Sequence, residues 1–291
     1  MNYRYCFIYF LILSILVGTI NASDKDGIQI INLYDNIGEP IEGTISDWGY
    51  SVFVNYKGTK ILFDGGASGK ILKHNAEQLG IDLKEVELAI ISHNHPDHTA
   101  GIDHLVEINP DVQLYVPAWG FAYGDTGDYK KYQIGYRYPI ENLEIIENNT
   151  EISEGIHIIN TESKLTGSFS KYPPNEENPK FYPLPELSLV LEQENSGAIL
   201  VSGCSHSQIE EIVKETIDSL NVTVDFATGG FHLLPYSEDY VKQLASTLKN
   251  QFNVKHVAPT HCTGEKAIRV IDEIYGENFR IGGLGTKFIF P

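Results

Sequence analysis

Ser92-His93-Asn94-His95-Pro96-Asp97-His98 follows directly on the apolar run Leu88-Ala89-Ile90-Ile91, and no other stretch constrains the fold as much. A short, unbroken apolar run reads as a strand buried on both faces, so the histidines begin where a buried strand ends. His93 and His95 are two apart and project the same way from an extended backbone, so both imidazoles can reach one cation. Pro96 breaks the extension. Asp97 and His98 then turn toward an adjacent position, the spacing a second divalent ion about 3.5–4 Å from the first requires. Imidazoles packed this densely without an ion would desolvate several polar rings at once.

The chain around this cluster reads as alternating elements. Ile28–Leu33, Tyr50–Tyr56 and Lys60–Phe63 are short β-branched and aromatic runs separated by turn residues, which predicts a hairpin meander. Gly69–Leu79 has helical spacing on one apolar face and ends at Gly80. In the second half, strands are expected at Leu187–Glu192, Ala198–Val201, Val222–Ala227 and Val254–Ala258, with helices at Ser207–Leu220 and Glu238–Phe252. Helices packed outside two sheets follow from that alternation. Two stretches lack periodicity and read as loops: residues 120–139, rich in tyrosine, and residues 171–186, rich in proline. The tyrosines are either a lid over an aromatic substrate or a cover for apolar surface.

Residues 1–22 carry a basic start, an uncharged apolar run from Tyr5 to Ile20 and small residues up to Ala22, the layout of a secretory signal. An uncleaved anchor is the alternative, though the run is shorter than the ~20 residues a spanning helix needs. The expectation is export to the periplasm or the medium, with residues 23–291 as one folded domain. With 21 Lys+Arg against 39 Asp+Glu, the net charge of −18 repels phosphate backbones and anionic lipid. Nucleic acid and membrane surface are therefore not expected partners, whereas a small molecule remains open because divalent ions would reverse the field inside a cleft. Three cysteines, Cys6, Cys204 and Cys262, are too few for a disulfide-built scaffold.

The hexad His93-Asn94-His95-Pro96-Asp97-His98 resembles the H-x-H-x-D-H signature of the metallo-β-lactamase superfamily. The resemblance implies a single-domain, four-layer αβ/βα sandwich with its site at one edge between the sheets. Asp64, at the end of Ile61-Leu62-Phe63, looks like the family's early aspartate, which orients the metal site from behind the ligands. His261 in Pro259-Thr260-His261-Cys262-Thr263-Gly264 looks like the last histidine ligand. The family's bridging aspartate is replaced here by Cys204 in Ser202-Gly203-Cys204-Ser205-His206, and its third histidine is missing near Thr166-Gly167-Ser168. His206 is the simplest replacement, and a Cys204 thiolate is a suitable soft ligand beside or instead of it. Gly203-Cys204-Ser205-His206, Gly229-Gly230-Phe231-His232 and the Pro259–Gly264 segment together look like the subgroup named for dihydropterin ribofuranosyl-aminobenzene phosphate synthase.

The ligand set implied is His93, His95 and His206 for one ion and Asp97, His98 and His261 for the other, with Cys204 in reach of either. Both ions are expected to be zinc. The resemblance implies a metal-dependent hydrolase acting on a small, anionic or heteroaromatic molecule through a metal-bound hydroxide, with Asp97 accepting a proton. A transferase like the subgroup's namesake is one alternative, and a domain that binds metal or ligand without chemistry is another. His232 either faces the site as a proton-transfer group or packs as a loop histidine. Cys262 is expected to point into the core, a Cys204–Cys262 disulfide being the alternative. His74, His104, His157 and His256 have no partner motif and read as structural or exposed.

Overall fold

The computed structural model describes residues 27–38, 41–117, 142–163 and 184–291. The expected leader, the tyrosine-rich segment and most of the proline-rich one lie outside these residues. Thirteen strands are described in chain order: β1 (Ile28–Tyr34), β2 (Ser51–Tyr56), β3 (Thr59–Phe63), β4 (Leu88–Ile90), β5 (Gln113–Pro117), β6 (Leu143–Ile146), β7 (Thr150–Ser153), β8 (Ile156–Ser163), β9 (Leu184–Leu191), β10 (Ala198–Ser202), β11 (Val224–Gly230), β12 (His256–Thr260) and β13 (Lys287–Phe290). They form one sheet in the order β13-β1-β2-β3-β4-β5-β6 and a second in the order β12-β11-β10-β9-β8-β7.

The strand residues alternate between two buried environments. Val52, Val54, Ile61 and Phe63 face the second sheet, packing with Leu189, Leu191, Ile199 and Val201. Phe53 and Leu62, one residue out of step, face outward onto the helices Gly69–Gln78 and Ile102–Ile108. On the far side, Leu200 and Ala227 meet the helices Ile209–Leu220, Glu238–Asn250 and Glu265–Tyr275. With both faces covered, these strands read as unbroken apolar runs rather than alternating ones. The result is the four-layer αβ/βα arrangement, one domain across the described residues.

The meander of β1, β2 and β3 is antiparallel as expected. From β3 to β6 the neighbours become parallel, which brings the ends of β3 and β4 side by side. One boundary departs from the sequence reading: residues 184–186 belong to β9 rather than to a loop. Pro185 is tolerated because this end of the strand pairs with β8 while β10 pairs only with residues 189–191. The helices Pro96–Thr99, Ile102–Ile108 and Glu265–Tyr275 and the strands β5 to β8 and β13 are additions to the elements read from sequence. Among the described residues no helix is long and apolar enough to cross a membrane.

Candidate metal centre

The site lies where β3, β4, β10, β11 and β12 end. Asp64, first after β3, is fully buried and takes a left-handed backbone (φ 60°). Its Oδ1 accepts the Ser92 backbone N–H at 2.7 Å, and its Oδ2 accepts the Ser92 hydroxyl at 2.7 Å and His98 Nδ1 at 2.6 Å. The Ser92 oxygen, its proton given to Asp64, receives His93 Nδ1 at 2.8 Å. One carboxylate thus fixes the tautomer of two rings, turning the Nε2 lone pairs of His93 and His98 inward. On the opposite wall Asn36 Oδ1 takes the Nδ1–H of His261 at 2.8 Å. Asp35, wholly buried after β1, accepts the Thr260 hydroxyl at 2.7 Å and the His261 backbone N–H at 3.2 Å.

The inward-facing atoms form overlapping groups whose donor atoms lie within 4.8 Å of one another. His93, His95 and His206 make one; Asp97, His98 and His261 make another; Cys204 joins His93 and His98, or His206 and His232, or His261 and Cys262. His93 Nε2 and His95 Nδ1 are 3.0 Å apart, and His98 Nε2 is 3.1 Å from Cys204 Sγ. His206 crosses both His93 and His95 edge-on, with ring centroids 4.8 and 4.7 Å away.

The electrostatics favour a cation here. Burial and then the neighbouring rings hold the pKa of His93 and His206 well below the usual imidazole range, leaving them neutral with a lone pair. Burial opposes charge on Asp97, yet His98 and His261 keep its carboxyl well below the usual range. Burial likewise opposes charge on His98, but Asp64 and Asp97 push its pKa up to about 9. That position attracts positive charge, a proton or a metal in the proton's place. The buried Nε2 atoms of His206 and His261 have no hydrogen-bond partner, a costly state for a ring nitrogen unless it ligates. The donor set of imidazole, carboxylate and thiol fits zinc-like ions.

The structure therefore brings together all the residues singled out from sequence: Asp64, His93, His95, Asp97, His98, Cys204, His206, His232 and His261. His232 faces the site, its ring centroid 4.3 Å from that of His206. Cys262 is the correction. Instead of pointing away into the core, its sulfur groups with Cys204 and His261, because the turn Thr260–Thr263 follows β12 at the site's floor. Both cysteines are free thiols, so the disulfide alternative is not realised. His157 is structural as read, 2.9 Å from Glu192. The place of the family's missing histidine lies outside the described residues.

Several contributors were given no site role by the sequence reading. Glu186 on β9 is fully buried and accepts the backbone N–H groups of Cys204 at 3.2 Å and Ser207 at 3.1 Å, clamping the loop that carries Cys204 and His206. Burial pushes its pKa up to about 7, against the pull of those two bonds. Trp48, half exposed at the rim, donates Nε1 to Asp97 Oδ2 at 2.8 Å and lies over His261 with centroids 5.0 Å apart. Asp35 had a signal of the same kind as Asp64, an acid closing a buried strand. Glu186 had none, sitting among prolines.

The model of the Metallo-beta-lactamase superfamily matches residues 49–209, from Gly49 to the helix behind His206. The chain belongs to the metallo-beta-lactamase superfamily. It is 28% identical, over 89% of its length and 95% of the relative's, to 7,8-dihydropterin-6-methyl-4-(beta-D-ribofuranosyl)-aminobenzene-5'-phosphate synthase of Methanocaldococcus jannaschii. Among solved structures it is similar to a metal-dependent hydrolase of the beta-lactamase superfamily, with a TM-score of 0.67, 24% identity and coverage of 90% of this chain and 98% of that one. The short form of human tRNase Z gives a TM-score of 0.57 at 14% identity, covering 90% and 99%. These likenesses fix the superfamily fold, and the two histidines His232 and His261 lie beyond the family-model match.

Proposed function

We propose that the protein is an exported hydrolase using two zinc ions to act on a small anionic or heteroaromatic molecule. The observation that carries this is the convergence of His93, His95 and His206 beside Asp97, His98 and His261 at one sheet edge. Bound divalent ions would lower the pKa of a coordinated water to about 7, supplying a nucleophile at neutral pH. The chain's own residues do the rest. Asp64 and Ser92 hold the rings of His93 and His98 in the tautomer that presents Nε2. Asp97, ionised and 20% exposed, is placed to accept the proton of an attacking water. His232, beside His206 and partly exposed, is placed to return a proton to a leaving group.

Purified protein is expected to carry one to two zinc-like ions per chain. His93→Ala is expected to lose at least one of them and at least about 100-fold in hydrolysis of a responsive ester or phosphoester. Metal-free protein that is fully folded and active would sink the reading. The synthase relative favours a second reading, transfer to a pterin-like acceptor. It gains if a broad ester and phosphoester panel gives no turnover while a reduced pterin binds. Export is checked by finding the mature N-terminus at Ser23 in the extracytoplasmic fraction.

A further inference from the structure

Cys262 adjoins the ligand His261 but has no role of its own in the proposed reaction. Its sulfur groups within 4.8 Å with Cys204 Sγ and a ring nitrogen of His261. It is 3.5 Å from the Cys204 carbonyl and neighbours the His232 ring. The space is kept clear by Gly230, where a Cβ would lie 2.6 Å from Cys262 Sγ and 2.5 Å from the Gly203 carbonyl. A thiol wanted only for packing needs no such approach to three ligand-type side chains. A second, independent observation points to a ligand: His261 Nε2, fully buried in the same group, makes no hydrogen bond and has only the Asp97 carboxylate beside it, at 3.5 Å.

We infer that Cys262 is a metal ligand, and that Cys262, Cys204 and His261 form a thiolate-rich side of the centre selective for soft and borderline divalent cations. Each thiol gives up its proton to solvent as it takes the ion, so no oxidant or reductant is involved. Hard ions such as Mg²⁺ or Mn²⁺ are poor occupants of such a subsite, whereas Zn²⁺, Co²⁺ and Cd²⁺ are good ones. The inference rests on the metal-centre reading above and adds a donor that reading does not contain.

Apoprotein in a Cys6→Ser background is titrated with Co²⁺ alone, reading bound cobalt and the near-ultraviolet sulfur-to-cobalt band together. Cys204→Ser and Cys262→Ser are each expected to lower the band to about half, and the double variant to abolish it, while cobalt still binds through the His93 group. A Cys262→Ser protein with the unreduced band overturns the inference. Cobalt binding without any sulfur band overturns it too, but leaves the metal-centre reading standing, whereas no cobalt binding at all overturns that reading first. Should Cys262→Ser fail to fold, ¹¹³Cd NMR of the Cys6→Ser protein decides. A resonance in the range of two-thiolate sites is expected, beside that of an ion held by the His93 group, and a spectrum with no two-thiolate resonance overturns the inference.

Discussion

The two halves of the metal centre are built in opposite ways. His93, His95, Asp97 and His98 come from one continuous segment after β4 that runs into the short helix Pro96–Thr99, with His93 and His98 oriented by Ser92 and Asp64 behind them. Cys204, His206, His232, His261 and Cys262 come from three segments after β10, β11 and β12, with Glu186 clamping the loop of Cys204 and His206 and with Asp35 and Asn36 holding His261. Four positions around the centre, Asp64, Ser205, His232 and His261, have left-handed backbones with φ between 49° and 60°. Three of them belong to the second half. Strain of this kind persists only where surroundings over-determine it, so the second half depends on its clamps more than the first.

The largest effect is expected from Asp64→Asn, which strikes the shared support of the first half. Asparagine keeps the left-handed backbone that Asp64 requires. Its amide nevertheless sets an N–H donor against either the Ser92 N–H or the His98 Nδ1–H, so one ring loses its anchor. Metal affinity should fall about 10–100-fold with little change in the fold, since partners behind the ligands typically carry that much. Isothermal titration of apoprotein with zinc checks it, and an unchanged affinity would mean that the hexad loop holds its own geometry.

Glu186→Ala is the matching attack on the second half. Two buried backbone donors, those of Cys204 and Ser207, lose their acceptor, which costs about 2–3 kcal/mol of stability. Metal affinity should drop by roughly tenfold through the loosened loop. The same residue gives a pH signature in metal-free protein. Its carboxyl pKa is raised on folding from 4.5 to about 7, so the folded state binds this proton more tightly than the unfolded one. The stability this contributes is full below pH 4.5 and is lost as pH rises to 7. Urea midpoints of Glu186→Gln across that window should show a shallower fall than wild type, and parallel curves would refute it.

The contrast between the halves also explains what was legible in the sequence. A contiguous hexad after an apolar strand declares both its ligands and its fold position, because the relevant geometry is local. Asp64 and His261 were readable through the family resemblance, each standing at the end of a buried run where the family places it. Cys262 was misplaced because the direction of its side chain is set by the turn after β12 and by Gly230 across the sheet, contacts far apart in sequence. Glu186 was hidden by its proline neighbours, since only the partial pairing of β9 allows a strand there. The sandwich itself was legible from continuous apolar runs alternating with amphipathic helices, while short strands such as β6 and β7 carry too few buried residues to signal themselves.

Trp48 joins the two halves and provides the mildest test of the contrast. Its indole donates to Asp97 of the first half while its ring lies over His261 of the second. Trp48→Phe keeps an aromatic face for His261 but deletes the donor, leaving Asp97 Oδ2 with the nearby His261 Nε2 at 3.5 Å and His98 Nε2 at 3.8 Å. The hydrogen bond is partly solvent-accessible, so its loss should cost about 0.5–1 kcal/mol and shift metal affinity by no more than about fivefold. Trp48→Leu removes the ring as well and should lower affinity further, by loosening His261. If the two variants match, the indole acts through Asp97 alone and the halves are coupled by that single hydrogen bond; if only Trp48→Leu weakens binding, the coupling runs through the ring face.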